Sequence, residues 1–357
     1  MSNHYGLVLA GGRGTRFWPR SRRRHAKQVL SIVGKRSLIQ STVDRLAPLI
    51  PPERLWVLTN EHLREEIVRQ LPTVPRRQIL AEPVQRNTAP AIGLAAQILY
   101  SIDRNAVMGV FPSDHVIAKP RRYLQFARAA FQAASQGKIV VLGIAPRWAE
   151  TGYGYIEFPS GTHSGSIAPV GVLKFREKPD ARTAAKYVAA KRFFWNAGMF
   201  FWRAEVLLDA LRRYLPKTTT ILASLPRFSD RRFTAALGHA FPLCENISID
   251  YAVLERAKNV VGLACDDIGW NDVGSWNAVY ELLPKDRDGN VARSRIVSAG
   301  SGGNYIDAGN KLVALLGAND LIVVDTPDAL LIAGRDRAQQ VGELVKLLEQ
   351  NKREDLL

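Results

Sequence analysis

A glycine-rich turn with basic side chains follows the first apolar run of this sequence. Arg13 lies between the glycines of the segment LAGGRGTRFWPRSR, residues 9–22, and Arg16 and Lys27 follow. Glycines let backbone amides approach an anion closely, and the basic residues supply the charge that a polyphosphate requires. No Gly-Lys-Ser/Thr sequence closes the turn, and Phe17 stands where a dinucleotide-binding motif has its third glycine. The turn therefore predicts a phosphate site that is neither a P-loop nor an NAD site.

The elements that would position this turn alternate between short apolar runs and helix-like stretches. This alternation is typical of βα units, and it predicts an α/β fold with a doubly wound, mostly parallel, Rossmann-like sheet. Asn87 or Thr88 can cap the helix whose first turn contains Pro90, since their side-chain oxygens accept hydrogen bonds from free backbone amides. The predicted strands are 5–10, 54–59, 78–81, 106–111 and 139–143, and the predicted helices are 37–49, 62–70, 88–100 and 123–136.

Beyond residue 152 the alternation becomes less regular, which predicts an inserted segment forming one wall of a cleft. A stretch rich in Gly, Asp, Arg and Ser follows residue 283. We therefore predict a catalytic domain at 1–283 and a C-terminal β-rich module at 284–357 that ends in a helix. The predicted strands here are 172–177, 198–202, 311–316 and 321–324, and the predicted helices are 181–191, 204–214 and 336–349.

Composition limits the class of protein. The chain has 357 residues and a formal net charge of +16, with 46% hydrophobic and 23% charged residues. These fractions are typical of globular domains, and we find no apolar run near the roughly 18 residues of a membrane span and no export signal. The two cysteines, Cys244 and Cys265, fit no disulfide framework or metal spacing, so we expect buried thiols and a cytoplasmic protein.

The positive charge is concentrated near the N-terminus, where seven basic residues lie within fifteen positions. Such a cluster could attract nucleic acid, an anionic membrane or a multiply charged small anion. No nucleic-acid-binding motif accompanies it, so we expect neither a nucleic acid nor a membrane partner. The cluster consists of Arg13, Arg16, Arg20, Arg22, Arg23, Arg24 and Lys27.

Further segments reveal a family resemblance. The GGxGTR turn and the downstream lysine resemble the signature of the sugar-1-phosphate nucleotidyltransferases. The other segments, in this order, resemble the branch of mannose-1-phosphate guanylyltransferases. They are AEPVQRNTAPAI (81–92), FPSDH (111–115), TGYGYIE (151–157), FREKP (175–179), WNAGMFFW (195–202), ISIDYAVLE (247–255), GWNDVGSW (269–276) and VDTPDALLIAGRDRAQ (324–339).

The resemblance implies transfer of GMP from GTP to mannose 1-phosphate, giving GDP-mannose and pyrophosphate. A sugar phosphate oxygen would attack the α-phosphorus in line, and Mg²⁺ would bridge the phosphates. This reaction mainly requires electrostatic stabilisation by the protein, because two polyanions must meet and the charge on the leaving pyrophosphate must be neutralised. No general base is needed, since a phosphate monoester with a second pKa of about 6 is already largely dianionic at neutral pH.

The resemblance also implies roles for individual residues. Asp114 and Asp272 would hold Mg²⁺, which prefers hard oxygen ligands. Arg16 and Lys27 would be catalytic, neutralising the triphosphate and the charge that develops during transfer. The predicted nucleotide-binding residues are Gly11, Gly12, Arg13, Gly14, Thr15, Glu82, Arg86 and Asn87. The predicted sugar-phosphate-binding residues are Gly154, Glu177, Lys178 and Asn196.

The resemblance leaves some alternatives open. Ala26 replaces the proline that usually precedes the signature lysine. The reaction could use another sugar 1-phosphate, such as a heptose 1-phosphate, or another nucleotide. The chain could also be a non-catalytic regulatory homologue. The C-terminal module resembles a β-helix fragment of the kind that supports dimers, so we expect a homodimer.

Overall fold

The computed structural model describes residues 3–357, and a ten-stranded sheet forms its centre. Eight strands follow the order β3-β2-β1-β4-β10-β6-β11-β8, and β7 and β9 extend from β10. The strands of this part are β1 (His4–Leu9), β2 (Leu55–Asn60), β3 (Ile79–Glu82), β4 (Val107–Pro112), β5 (Val116–Ile117), β6 (Ile139–Ile144), β7 (Tyr155–Glu157), β8 (Val170–Gly171), β9 (Lys174–Arg176), β10 (Phe193–Arg203), β11 (Val260–Cys265) and β12 (Trp270–Asn271).

Helices cover both faces of the sheet, which confirms the predicted doubly wound α/β fold. Alternate residues of β1 enter different cores, since Leu7 faces one and Val8 the other. The helices are α1 (Leu38–Leu46), α2 (Glu61–Gln70), α3 (Thr88–Ile102), α4 (Pro120–Ser135), α5 (Ala181–Ala189), α6 (Ala204–Tyr214), α7 (Pro216–Ala223), α8 (Phe233–Ala240), α9 (Trp276–Leu282) and α10 (Val341–Gln350). No helix of residues 3–357 is long and apolar enough to cross a membrane.

One strand departs from the predicted pattern. The first four strands are parallel, but β10 runs antiparallel to both β4 and β6. It is also longer than the predicted strand 198–202, and its pairing with β6 shifts between Asn196 and Phe200. Such an irregularity bends a strand and redirects its side chains. Gly198 lies at this bend beside the end of β4 and the loop that follows, since a Cβ on it would be 3.4 Å from Pro112 and 3.7 Å from His115.

The C-terminal module stacks short parallel strands, as expected of a β-helix fragment. β15 pairs in parallel with β13 and β17, and β14 pairs in parallel with β16. Buried asparagines join successive turns, because the amide of Asn304 donates to the side chain of Asn290 at 2.9 Å. The module contains β13 (Val291–Ala292), β14 (Arg295–Ala299), β15 (Tyr305–Asp307), β16 (Leu312–Leu316), β17 (Leu321–Asp325) and β18 (Leu330–Gly334).

The module shares a hydrophobic core with the segment that follows the glycine-rich turn. Trp276 stacks on Tyr305 of the module and contacts Phe17 edge to face. Its indole N–H donates to the carbonyl of Trp18, whose own indole donates to the carbonyl of Leu356. The domain limits at 283 and 284 stay a prediction, since this core joins both sides of them.

The basic cluster near the N-terminus pairs with acidic residues of the module. Arg20 contacts Asp307 at 2.6 Å, and Arg22 contacts Asp328 at 3.0 Å. Arg23 pairs with Glu354. The sequence assigned these arginines no partner. These ion pairs hold the module against the segment that follows the glycine-rich turn.

We expect Arg20→Ala to lower the free energy of unfolding by about 1–3 kcal/mol, because it leaves the buried Asp307 carboxylate without its nearest partner. Arg36→Ala is the matched control, since Arg36 and Asp44 form an ion pair in which both side chains are about half exposed. Exposed ion pairs of this kind contribute little to the free energy of unfolding. Urea unfolding measures both values. Equal losses in the two variants would contradict a docking role for Arg20.

Candidate active site

In the glycine-rich turn, backbone carbonyls accept hydrogen bonds from side chains, whereas several backbone N–H groups remain free to bind a ligand. The Gln28 side chain donates to the carbonyl of Ala10 at 2.8 Å, and the Gln85 side chain donates to that of Gly11 at 2.5 Å. Within the described chain, no backbone carbonyl accepts from the N–H groups of residues 11–13. Successive unpaired amides form an anion-binding concavity. The turn therefore has the geometry that a phosphate group requires.

Gly14 lets the lysine segment lie directly against this turn. Its φ is +63°, and a Cβ there would lie 2.6 Å from the Cβ and 2.9 Å from the backbone nitrogen of Lys27. Any other residue would combine a strained backbone with a clash against main-chain atoms. Glycine at this position therefore fixes the approach of Lys27 to the site.

Lys27 joins the two predicted metal ligands. Its ammonium group lies 2.8 Å from Oδ2 of Asp114 and donates to the backbone carbonyl of Asp272 at 2.7 Å. Lys27 is only 6% exposed, and a buried cation without partners would be strongly destabilising. Burial alone would raise the pKa of Asp114, but attraction to Lys27 holds that pKa below its usual value.

Asp272 lies in a tight turn with a strained neighbour. Val273 has a φ of +48°, which is uncommon for a β-branched residue. The side chain that closes the turn is Asn271, whose Oδ1 accepts from the backbone N–H of Val273 at 2.7 Å. The Asp272 carboxylate is therefore available for other contacts, and Oδ1 accepts from the Tyr153 hydroxyl at 2.6 Å.

A short antiparallel pairing brings the two aspartates together. β12 pairs with β5, with Trp270 opposite Ile117. Asp114 precedes β5 by two residues and Asp272 directly follows β12. Residues about 158 positions apart in sequence thus meet at one edge of the sheet. The sequence did not predict this pairing.

His115 supports the same edge of the sheet. Its Nδ1 accepts a hydrogen bond from the Trp270 indole at 3.2 Å. Burial lowers the pKa of His115, so the ring is neutral at pH 7. The ring also contacts Trp270 edge to face, with centroids 5.4 Å apart, which fixes its orientation.

The predicted nucleotide side borders a cavity of about 540 Å³ that extends from the glycine-rich turn to Asp114. Burial raises the pKa of Glu82, which lies in the wall, to about 8. The cavity also exposes polar groups that the sequence did not single out. The lining consists of Leu9, Gly11, Gly12, Gln28, Leu58, Glu82, Gln85, Asn87, Thr88, Ala91, Ser113, Asp114 and Asn246.

Two predicted nucleotide-binding residues have local structural contacts. The guanidinium of Arg86 donates to the carbonyl of Pro242, and Arg86 is absent from the cavity lining within the described chain. Asn87 has a φ of +63°, and its side chain accepts from the N–H of Thr88 at the start of α3. The structure thus brings Asn87 to the cavity but not Arg86.

The predicted sugar side centres on Gly154 and Glu177. A Cβ on residue 154 would lie 2.4 Å from Oε2 of Glu177, so only glycine leaves space for this carboxylate. Oε1 pairs with Lys178 at 3.1 Å, while Oε2 is buried and accepts no hydrogen bond within the described residues. A buried unsatisfied acceptor is costly. A hydroxyl group of a bound sugar would satisfy it.

Asn196 lies beside this carboxylate, and a further acid holds its amide. Nδ2 donates to Oδ1 of Asp250 at 3.0 Å, and Oδ1 accepts from the N–H of Gly198 at 3.0 Å. Asp250 begins a turn of π-helix, Asp250–Leu254. The sequence patterns did not single out Asp250, although it lies in the segment ISIDYAVLE, residues 247–255.

The arginines of the turn contact the C-terminal module. Arg16 donates to Oε1 of Gln339 at 2.6 Å, so its charge has a neutral partner. Arg13 pairs with the Glu349 carboxylate, which compensates its charge. Thr15 lies close to α10, since a Cβ on Gly342 would be 3.2 Å from its hydroxyl. No local sequence signal indicates Gln339, because its contact spans 323 positions.

Comparisons with known proteins identify the same family as the sequence segments that follow the glycine-rich turn. The family profile described as nucleotidyl transferase matches residues 5–289. The profile described as the MannoseP isomerase/GMP-like beta-helix domain matches residues 294–348. The family resemblance predicted from the sequence is therefore confirmed.

Individual relatives cover nearly the whole chain. A Klebsiella pneumoniae protein named mannose-1-phosphate guanylyltransferase is 38% identical over 355 residues, which are 98% of this chain and 74% of that protein. The Pseudomonas aeruginosa alginate biosynthesis protein AlgA is 37% identical, with coverages of 98% and 73%. A Thermus thermophilus crystal structure described as mannose-1-phosphate geranyltransferase superposes with a TM-score of 0.85 at 33% identity, covering 98% of this chain and 100% of that one.

The buried acid of the sugar side makes stability depend on pH. Burial raises the pKa of Asp250 to about 7, and repulsion from Glu177 adds to the shift. The folded state therefore binds more protons than the unfolded state between about pH 4 and pH 7. The resulting stability is complete below pH 4 and is lost as pH rises to 7.

Asp250→Asn removes this loss. We therefore expect the free energy of unfolding of the variant, relative to that of the parent, to increase by about 2–3 kcal/mol when the pH is raised from 5 to 8. Urea unfolding at the two pH values measures the gain. Asp209→Asn, at an exposed position, is the control and should change little. A pH-independent difference between Asp250→Asn and the parent would contradict the buried-acid assignment.

Proposed function

The chain belongs to the nucleotidyl transferase family, and on that premise we propose that it transfers GMP from GTP to mannose 1-phosphate, forming GDP-mannose and pyrophosphate. It is an enzyme of the mannose-1-phosphate guanylyltransferase type. The proposal rests on relatives that carry this name over nearly the full chain. It also rests on a site that offers an anion-binding turn, a buried lysine and two carboxylates along one cleft.

The single observation that carries the chemistry is the contact of Lys27 with both aspartate segments. Its ammonium lies within 2.8 Å of Asp114 and 2.7 Å of the Asp272 carbonyl, below a turn with free amides. A fixed positive charge beside an anion-binding turn stabilises the charge on a leaving pyrophosphate. Arg16 would add a second charge, because its partner Gln339 is neutral.

The residues present fit a divalent cation, and we propose Mg²⁺. Asp272 Oδ2 accepts no hydrogen bond among residues 3–357, and a Cβ on Gly274 would come within 2.8 Å of it. Asp114 offers a second hard oxygen ligand, and no cluster of three acidic, His or Cys ligands exists in the described chain. Substrate oxygens would therefore complete the shell. When bound, the metal would neutralise phosphate charge and orient the two substrates.

The sugar would bind between β7, β9 and β10. The unsatisfied Oε2 of Glu177 would accept from a sugar hydroxyl, and Asn196 would contact a second one. Lys178, whose side chain is largely exposed, would meet the sugar phosphate by leaving its pair with Glu177. Directional polar contacts of this kind discriminate between sugars that differ at one hydroxyl.

The base would occupy the cavity beside Glu82. Guanine presents donors at N1 and N2, so a carboxylate or carbonyl oxygen reads it best. Glu82 is such an acceptor, and it borders both this cavity and a smaller one of about 250 Å³ next to Arg13. Binding to guanine donors would favour the ionised form of this acid.

We also propose that the chain acts as a homodimer in the cytoplasm. The module carries large apolar side chains that are more than half exposed, which favours a second copy as a partner. Both cysteines are buried free thiols, as expected in a reducing compartment. The exposed apolar residues are Val297, Leu312, Leu316, Leu330 and Ile332.

A substrate panel tests the proposed reaction. Pyrophosphate release is measured with mannose, glucose and heptose 1-phosphates, each combined with GTP, ATP, CTP and UTP. We expect the highest kcat/KM for mannose 1-phosphate with GTP. No release with that pair would overturn the proposal, and release with another pair would identify a different member of the same reaction class.

Removing either predicted metal ligand should abolish most of the turnover. We expect Asp114→Asn and Asp272→Asn to lower kcat on the order of 100-fold or more at saturating Mg²⁺, because each removes a negative oxygen ligand. Asp267→Asn is the control, since Asp267 is exposed and pairs with Lys119. Circular dichroism verifies folding. A variant that retains full activity would remove its residue from the mechanism.

A further inference from the structure

A second concave surface lies at the opposite end of the parallel strands. Its volume is about 710 Å³, and Trp56 and Phe228 contribute to its wall. Trp56 lies four residues before Asn60, the last residue of β2, which borders the smaller cavity next to the glycine-rich turn. Four residues of a strand span about 13 Å. This surface, here called the distal cavity, is therefore separate from the proposed active site.

Three arginines from different segments surround the distal cavity. They are Arg77, Arg104 and Arg227, and none has a carboxylate partner in the part of the chain that the structure describes. The acids nearest in sequence have other contacts, since Asp103 accepts from the Tyr5 hydroxyl and Asp230 pairs with Arg232. Like charges around one cavity repel each other unless an anion compensates them.

The floor of the distal cavity is apolar and aromatic. The rings of Trp56 and Phe228 meet edge to face, with centroids 5.1 Å apart. Ile102 lies at the rim and is 56% exposed. Arg104 lies over the ring of Tyr100 at 4.3 Å, which holds its guanidinium in place. An apolar floor beneath several guanidinium groups suits a ligand with a planar group and a charged group.

We propose that the distal cavity binds the diphosphate group of a nucleoside diphosphate or a nucleoside diphosphate sugar. Guanidinium groups bind phosphate oxygens through paired hydrogen bonds, and the apolar floor would contact the base. The volume lies within the range of small-ligand sites. This site is distinct from the cleft that holds the reacting substrates. It uses three of the positive charges that neither the active site nor the docking of the module explains.

Arginine footprinting on the intact enzyme tests the site directly. Phenylglyoxal modifies exposed arginines, and mass spectrometry reports each position with and without pyrophosphate, GDP or GDP-mannose. We expect Arg77, Arg104 and Arg227 to become protected together. GDP or GDP-mannose should act at concentrations at least 10-fold lower than pyrophosphate. Arg128, which is exposed on α4 and has no carboxylate partner among residues 3–357, serves as the internal control.

Which compound protects best distinguishes the two sources of the ligand. Stronger protection by GDP-mannose would identify the sugar nucleotide, and stronger protection by GDP would identify the free nucleotide. Both results support the proposal. Absence of protection at millimolar concentrations, or protection by pyrophosphate as strong as by GDP, would overturn it. Protection by single-stranded DNA at lower concentrations than GDP would also overturn it.

Matched double variants separate this site from the active site. Arg104→Ser with Arg227→Ser removes two charges from the distal cavity, and Arg121→Ser with Arg128→Ser removes two from the exposed face of α4. By calorimetry of GDP binding, we expect the first variant to lose one class of sites or to bind there at least 10-fold more weakly. The control should retain both classes. Equal binding in the two variants would overturn the proposal.

Turnover of the same variants keeps the two proposals distinguishable. Neither pair of arginines contacts the cleft, so we expect basal kcat in the absence of added product to stay within about 2-fold of the parent. Failure of the proposed reaction would appear as absence of pyrophosphate release in the parent itself. If only the distal-site proposal is wrong, the parent will still release pyrophosphate, but calorimetry will show no second class of GDP sites.

Discussion

The buried ammonium group of Lys27 is the interaction on which the geometry of the cleft depends. It needs Gly14 to approach the turn, the carboxylate of Asp114 to compensate its charge and the Asp272 carbonyl as a further acceptor. Removing either acceptor would leave a charge or a donor unsatisfied in a poorly hydrated place, and replacing Gly14 would push Lys27 away from the turn. Three segments far apart in sequence are thereby held in one arrangement. The strain at Val273 is tolerated because this arrangement fixes the turn on both sides.

The C-terminal module completes the same site from outside. Gln339 and Glu349 contact the two arginines of the glycine-rich turn, but with opposite electrostatic effects. The carboxylate compensates Arg13, whereas the neutral amide orients Arg16 and leaves its charge available. Arg20, Arg22 and Arg23 hold the module in place through their acidic partners. The high net charge of the chain therefore serves two purposes, substrate attraction and docking of the module, and a further part of it surrounds the distal cavity.

Much of this organisation is readable from the sequence, and the rest depends on contacts that sequence patterns do not encode. The alternation of apolar runs and helix-like stretches predicted the parallel strands and their helices. The residue types of the glycine-rich turn predicted a phosphate site, whereas Asp114 and Asp272 were selected by the family resemblance. The antiparallel direction of β10 was not predicted, because apolar alternation is the same in either direction. Asp250 and Gln339 were missed because their partners lie 54 and 323 positions away. The charge cluster was visible, but its acidic partners were found only in the folded chain.

The hydrogen bond from the Trp18 indole to the carbonyl of Leu356 joins residues 338 positions apart. A ribosome makes Trp18 well before Leu356, so the core that this hydrogen bond closes cannot form until the segment around Leu356 has been synthesised. During synthesis, Phe17, Trp18 and Trp276 remain uncovered, and exposed aromatic surface of this kind is what chaperones and proteases recognise. A chain that stalls before Leu356 would therefore leave the Trp18 indole N–H without its acceptor.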